Sequence, residues 1–210
     1  MSLIIAVDGP AASGKGTVAA ALARHYGLPY LDTGLLYRAV GVQAAAAGLD
    51  LDDAQGAATI AASLDASALE DPAYRTRGAG EAASRVAVHA PVREALLDLQ
   101  RRFSATPGGA VLDGRDIGTV IAPQAPAKLF VTASPKVRAD RRWKQLCAQG
   151  EDVAFETVLA DIRLRDERDA GRAAAPLLLA GDAHLLDTSE MSIEAAFREA
   201  LNLVERARGS

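Results

Sequence analysis

Nine consecutive residues, Gly9-Pro10-Ala11-Ala12-Ser13-Gly14-Lys15-Gly16-Thr17, have the types and spacing needed to hold a polyphosphate. They follow an apolar run, Leu3 to Val7, that closes in Asp8, and they open a helix-like stretch from Lys15 to Tyr26. In a strand–glycine turn–helix arrangement, backbone N–H groups of the turn and of the helix start converge on one anion, and a lysine adds charge. Glycines let the backbone approach closely and adopt the dihedrals such a turn needs. The plainer reading is a connection that merely happens to be glycine-rich. It gives way because the motif and its strand–helix context occur together.

In many phosphate loops a Ser or Thr directly follows the lysine and holds Mg²⁺. Here Gly16 takes that place and the hydroxyl comes one residue later, on Thr17. GTPases and motor ATPases depend on the direct ligand and lose ground. The Gly-Lys-Gly-Thr order resembles the loop of nucleoside monophosphate kinases. There Mg²⁺ is expected to be held mainly by phosphates and water, so no metal ligand is assigned to the protein.

Three further charged segments fall just past short apolar runs: Asp32-Thr33-Gly34 with Tyr37-Arg38, Asp113-Gly114-Arg115-Asp116, and Asp187-Thr188-Ser189. Helix capping is the routine explanation for Asp, Ser and Thr at such places. For Asp187-Thr188-Ser189, capping and function stay equally open. Two acids and an arginine around Gly114 are more than a cap requires, and function is favoured there. A hydrophobic pair before Asp-Thr-Gly also marks aspartic proteases, which need two such aspartates on an all-β scaffold. One copy in a chain that reads as α/β excludes that chemistry.

The last chemical feature is a string of arginines. Arg165, Arg168, Asp169 and Arg172 stand at i, i+3, i+4 and i+7 and share one helix face; Arg138 and Arg142 are four apart on a helix expected to begin near Pro135. Alone, these would read as solvated faces laced with salt bridges. Beside a phosphate loop, the first set reads better as a mobile, arginine-bearing lid. Phosphoryl transfer spreads negative charge over the migrating group, and one placed arginine is worth roughly 10³–10⁵ in rate. That corresponds to about 4–7 kcal/mol of barrier. A closing segment also shuts out water that would otherwise hydrolyse the donor.

The elements that must position these groups are legible as an alternation. Strands are expected at Leu3–Val7, Tyr30–Leu31, Ala110–Leu112, Lys128–Thr132 and His184–Leu186, all short and apolar as in a sheet buried on both faces. Helices are expected at 34–48, 79–103 with an interruption at Pro91, 135–149, 154–168 and 192–208. Ser134 before Pro135 reads as a helix start. Alternating strands and helices imply an α/β fold, a five-stranded parallel sheet with helices on both faces, whose ligands lie beyond the strands' carboxyl ends. Residues from about 40 to 100 and from about 150 to 175 break the alternation and read as insertions over that edge.

The 210 residues suit one domain with a full core. With 4% aromatics, that core must rest on Ala, Leu and Val. No apolar stretch approaches the ~18 residues of a membrane span, and the first residues lack the basic start and cleavage site of a signal peptide. Cys147 is the one cysteine, which excludes an internal disulfide or a cysteine-ligated cluster and suits a reducing cytoplasm. The net charge of −4 argues against nonspecific nucleic-acid binding. Within it, nineteen of the 23 basic residues are arginines, the side chain that grips phosphate with a planar fork, though a GC-rich genome would give the same bias. His25, His89 and His184 lack metal-ligand spacing, and Trp143 reads as packing.

Together, Gly9 to Thr17, Asp32-Thr33-Gly34 with Tyr37-Arg38, Val92-Arg93-Glu94-Ala95-Leu96, Asp113 to Val120 and Arg165-Asp166-Glu167-Arg168-Asp169 resemble the bacterial cytidylate kinases. The match runs from residue 5 to about 190 in the family's order, and the Asp113 to Val120 and Arg165 to Asp169 segments are its specific part. The resemblance implies a P-loop kinase fold with a core at about 1–38, 104–150 and 176–210. It also implies an acceptor-binding insertion at about 39–103 and a lid at about 151–175. It implies transfer of the ATP γ-phosphoryl group to CMP or dCMP, with Mg²⁺. By position, Lys15, Arg115, Arg165, Arg168 and Arg172 would be catalytic, and Arg138 and Arg142 would lie with the phosphate loop on the ATP side. Ser84, Arg93 and Asp116 would meet the cytosine, Arg38, Arg115 and Arg172 the phosphate oxygens, Asp169 the ribose, and Thr33 and Tyr37 would line the acceptor site. The base assignment makes chemical sense: Asp116 can accept from the cytosine N4 amino group and Arg93 can donate to O2 or N3. The stretch from Arg38 to Ser84 departs from the family by being shorter and lacking a β-rich insert, which trims the acceptor side.

Two other readings compete. Another small-molecule P-loop kinase would take UMP, AMP or a metabolite. A guanine-reading switch would need an Asn-Lys-x-Asp segment, and the one asparagine is Asn202. A monomer is expected.

Overall fold

The computed structural model describes residues 2–65 and 69–209. Five strands, β1 (Leu3–Asp8), β2 (Tyr30–Asp32), β3 (Gly109–Gly114), β4 (Ala127–Thr132) and β5 (His184–Asp187), form one parallel sheet in the order β2-β3-β1-β4-β5. Each lies within two residues of its sequence expectation. β1 sits at the centre, pairing Asp8 with Gly114 of β3 and with Phe130 of β4, while Asp32 pairs with Asp113. Parallel register therefore brings Asp8, Asp32, Asp113 and Asp187 to one edge of the sheet. All the charged segments picked out from sequence leave from that edge.

The strand residues divide by alternation, as a two-fold pleat requires. Ile5, Val7, Val111, Leu129 and Val131 pack under helices α1 (Lys15–Tyr26) and α8 (Ile193–Gly209), against Leu22, Ala200 and Val204. Ala6, Ala110 and Leu112 face the opposite side and meet α2 (Thr33–Ala46), α3 (Ala54–Ala62), α4 (Arg77–Val86) and α5 (Ala90–Ser104). Alanines let α2 and α4 approach so closely that a Cβ at Gly41 would overlap Ala82.

The expected long helix at 79–103 is two helices. Pro91 sits in the first turn of α5, where its missing N–H costs nothing, so the chain bends just before it. Among the described residues between Arg38 and Ser84 no strand occurs, only helices and a 3₁₀ turn at Pro72–Arg75. Helix α6 (Pro135–Ala148) is capped by Ser134, and α7 (Phe155–Gly171) runs three residues past its expected end. A third apolar cluster, Ala139, Leu146, Val158 and Ile162, clips α7 onto α6. No helix among the described residues is long and apolar enough to cross a membrane.

Candidate active site

The phosphate loop separates two clefts that meet at Ala12, which lines both. Ala12 and Gly14 have positive φ, 59° and 91°, and wrap the turn around the helix start. Gly9, at φ 151°, is required for its backbone conformation and also for packing. A Cβ there would overlap the Val131 carbonyl oxygen, so this glycine serves packing between β1 and β4. Lys15 lies 3.7 Å from the Asp113 carboxylate. Burial and the neighbouring Arg115 guanidinium push its ammonium down to about 8. Asp113, buried and near Asp32, is pushed up to about 6 while accepting a 2.7 Å hydrogen bond from the Tyr30 hydroxyl.

One cleft is lined by Lys15, Thr33, Tyr37, Arg38, Ser84, Arg93, Arg115, Asp116, Arg165, Asp169 and Arg172, so it unites all the expected acceptor-side residues. Sequentially remote elements deliver them. The Asp8 carboxylate accepts the Ile117 and Gly118 N–H groups, both at 2.8 Å, and so anchors the turn after β3 that carries Arg115 and Asp116. Thr33 donates to the Asp113 carbonyl at 2.8 Å and ties the start of α2 to the same turn. At one end of the cleft Arg93 donates to Asp116 at 2.5 Å, both buried, with the guanidinium carbon 5.4 Å from the Tyr37 ring centre. Towards Lys15, Arg115 donates to Asp169 at 2.6 Å.

Positive charge in this cleft exceeds its partners. Arg38 and Arg165 are both disfavoured as cations by burial and then by other guanidinium groups, Arg142 for the first and Arg115 for the second. Arg165 Nε, Arg172 Nε and Nη2 and the Ser84 hydroxyl are buried with no hydrogen-bond partner among the described residues. Buried donors are almost always satisfied, and leaving charged ones unpaired costs several kcal/mol, about 3–5 for a broken pair. Such a cluster fits an anion with several oxygens.

Of the expected catalytic residues Arg168 does not join it, and the two arginines expected on the ATP side divide. Arg168 lies on the flank of the α7 stripe and donates instead to Glu81 of α4, at 2.7 Å. Arg138 is turned behind the phosphate loop: its Nη1 donates to the Ala11 carbonyl at 3.2 Å, and the guanidinium forks onto Asp166 at 2.9 and 2.6 Å. Arg142 borders the second cleft, with Ala12, Gly14 and Thr17 from the loop. Val18, Met191, Ile193 and Phe197 give that cleft an apolar side next to the loop. Arg141 and Thr188 also line it, and sequence reasoning did not select either as a site residue. Among the described residues no group of three or more His, Cys, Asp or Glu is arranged to hold a metal ion.

The family model for cytidylate kinase matches residues 5–206. A cytidylate kinase of Caulobacter sp. (strain K31) is 67% identical over 99% of this chain and 96% of its own length. One of Xanthobacter autotrophicus is 64% identical over 98% and 99%. Among solved structures, a gluconokinase from Sinorhizobium meliloti 1021 aligns with a TM-score of 0.53 at 18% identity over 99% of this chain and 95% of that one. A sugar kinase from Janibacter sp. HTCC2649 aligns at 0.52 and 15%, over 98% and 95%. These two share the fold. With a family-model match over nearly its whole length and relatives at this identity, the chain belongs to the cytidylate kinase family.

Proposed function

We propose that this chain phosphorylates CMP and dCMP with ATP, in a single in-line transfer between the two clefts. The observation that carries this is the shared cleft of Lys15, Arg115, Arg165 and Arg172, in which buried N–H groups of Arg165 and Arg172 have no hydrogen-bond partner among the described residues. The adenosine of ATP lies on the apolar side of the second cleft, along α1 and α8, and its phosphates lie on the N–H groups of Gly9 to Thr17. CMP fills the other cleft. Its base meets Ser84, Arg93 and Asp116, its ribose meets Asp169, and Thr33 and Tyr37 line its walls. Its phosphate meets Arg38, Arg115 and Arg172. Arg165 faces the migrating group, and Arg168, with the outer part of α7, closes over it as a lid. No residue is asked to be a strong base, since positioning and charge stabilisation carry this chemistry.

The donor set fits Mg²⁺ bound through phosphate oxygens and water, with the Thr17 hydroxyl and the Asp32 and Asp113 carboxylates nearby rather than a protein cage. Bound in this way it neutralises phosphate charge. The lone Cys147 fits a reducing cytoplasm.

Initial rates with equal concentrations of CMP, dCMP, UMP and AMP test the reading. CMP and dCMP should exceed UMP and AMP by at least about tenfold, because uracil sets a carbonyl against the Asp116 carboxylate. Preference for AMP would overturn it. A pH prediction follows from Lys15. With the ammonium at about 8 in the free protein, kcat/KM for ATP should fall above pH 8 as that charge is lost. Bound polyphosphate favours the charged amine, so the alkaline limb of kcat should lie at higher pH. Identical limbs in the two profiles would remove Lys15 from the cradle.

A further inference from the structure

In sequence Asp187-Thr188-Ser189 suits capping and function equally, and in the structure the three residues divide the work. Asp187 accepts from the N–H and hydroxyl of Ser189, at 2.9 and 2.6 Å, and the Ser189 hydroxyl accepts the Ser134 N–H at 2.9 Å. Those two are local turn and cap residues. Thr188 points the other way. It is 3% exposed, and its hydroxyl stands 2.9 Å from the Ser13 carbonyl oxygen of the phosphate loop and 3.1 Å from that of Thr132. Arg141, on α6, donates through Nη1 to the Thr188 hydroxyl at 3.0 Å and to the same Ser13 carbonyl at 3.2 Å, and through Nη2 to the Thr188 carbonyl at 2.6 Å.

This clamp acts on a peptide of the cradle whose orientation the local backbone leaves open. Ser13 is flanked by Ala12 and Gly14, both at positive φ, and a glycine accepts either orientation of the peptide before it. A trans peptide is planar, so its carbonyl and N–H point to opposite sides. Holding the Ser13 oxygen towards α6 and β5 therefore turns the Gly14 N–H towards the cradle. Released, the peptide can flip and present a carbonyl oxygen to a phosphate.

We propose that Thr188, braced by Arg141, is a positioning residue that fixes the Ser13–Gly14 peptide so that its N–H serves the donor phosphates. The inference rests on the kinase reading above and assigns to that reaction two residues that touch neither substrate's reacting atoms. Thr188→Val keeps the shape and deletes the hydroxyl, whereas Thr188→Ser keeps the hydroxyl.

The test compares both variants with the parent chain for KM of ATP, KM of CMP, kcat and thermal midpoint, together with calorimetric binding of ATP alone. Loss of one charge-assisted donor should weaken ATP binding and raise its KM by about 10- to 100-fold in Thr188→Val. KM for CMP should change by less than about twofold, and Thr188→Ser should restore ATP affinity. Arg141→Ala should act in the same direction. Unchanged ATP binding in Thr188→Val, or parallel loss of both substrates with a lowered thermal midpoint, overturns the proposal. Neither outcome touches the acceptor assignment, which fails separately if the parent chain binds ATP yet does not phosphorylate CMP.

Discussion

Replacing Arg165 by alanine should slow turnover by roughly 10³-fold while leaving the thermal midpoint unchanged or raised. The two halves of that expectation come from the same surroundings. Arg165 is half-buried on α7, where the guanidinium groups of Arg115, Arg38 and Arg142 act on it together; the carboxylate that offsets them, Asp169, is itself bonded to Arg115. Deleting the side chain removes a cation that burial and its neighbours disfavour, so the folded state loses nothing in charge balance. During transfer the same cation faces charge spreading over the migrating phosphoryl group, where its loss is felt most. Arg165→Lys should recover only part of the rate, because an ammonium cannot reproduce the planar fork. Rates measured at saturating ATP and CMP beside a thermal melt decide it. A loss under tenfold would take Arg165 away from the migrating group.

The second large effect concerns the base. Asp116→Ala should raise KM for CMP and cut the CMP-to-UMP discrimination by about 10- to 100-fold, the worth of one charge-assisted hydrogen bond. It should also destabilise the fold by about 3–5 kcal/mol, because Arg93 is then left as a buried, unpaired cation. These two consequences separate in the double variant Arg93→Leu with Asp116→Ala. That protein should regain much of its thermal midpoint and none of its selectivity. Selectivity retained in Asp116→Ala would remove this carboxylate from base recognition.

How far these residues were legible in sequence depends on whether their partners are local. The strands announce themselves as short apolar runs, and the parallel register then forces Asp8, Asp32, Asp113 and Asp187 to one edge. The order of the strands is not written in any single strand, because each parallel partner is set by a distant crossover. Along α7 the i, i+4 spacing of Arg165 and Asp169 sufficed to put them in one cleft, whereas Arg172 lies one residue past the helix end in extended backbone and reaches the same cleft from there. Arg168, three residues on from Arg165, lies far enough around the helix for Glu81 to reach it, and Glu81 belongs to another helix. Arg138 and Arg141 show the limit most clearly. Both lie on α6, yet what they do is decided by carbonyls of Ala11 and Ser13 and by Asp166, which no local pattern couples to them. The packing role of Gly9 was hidden likewise, since Val131 meets it only once β1 and β4 pair.

Direct transfer requires donor and acceptor phosphates to meet at Lys15. Calorimetric titration with a cytidine and an adenosine joined through five phosphates tests this most directly. One molecule should bind per chain, far more tightly than either ATP or CMP alone, because it joins both clefts in one ligand. Two molecules per chain, or an affinity no better than that of ATP, would contradict it.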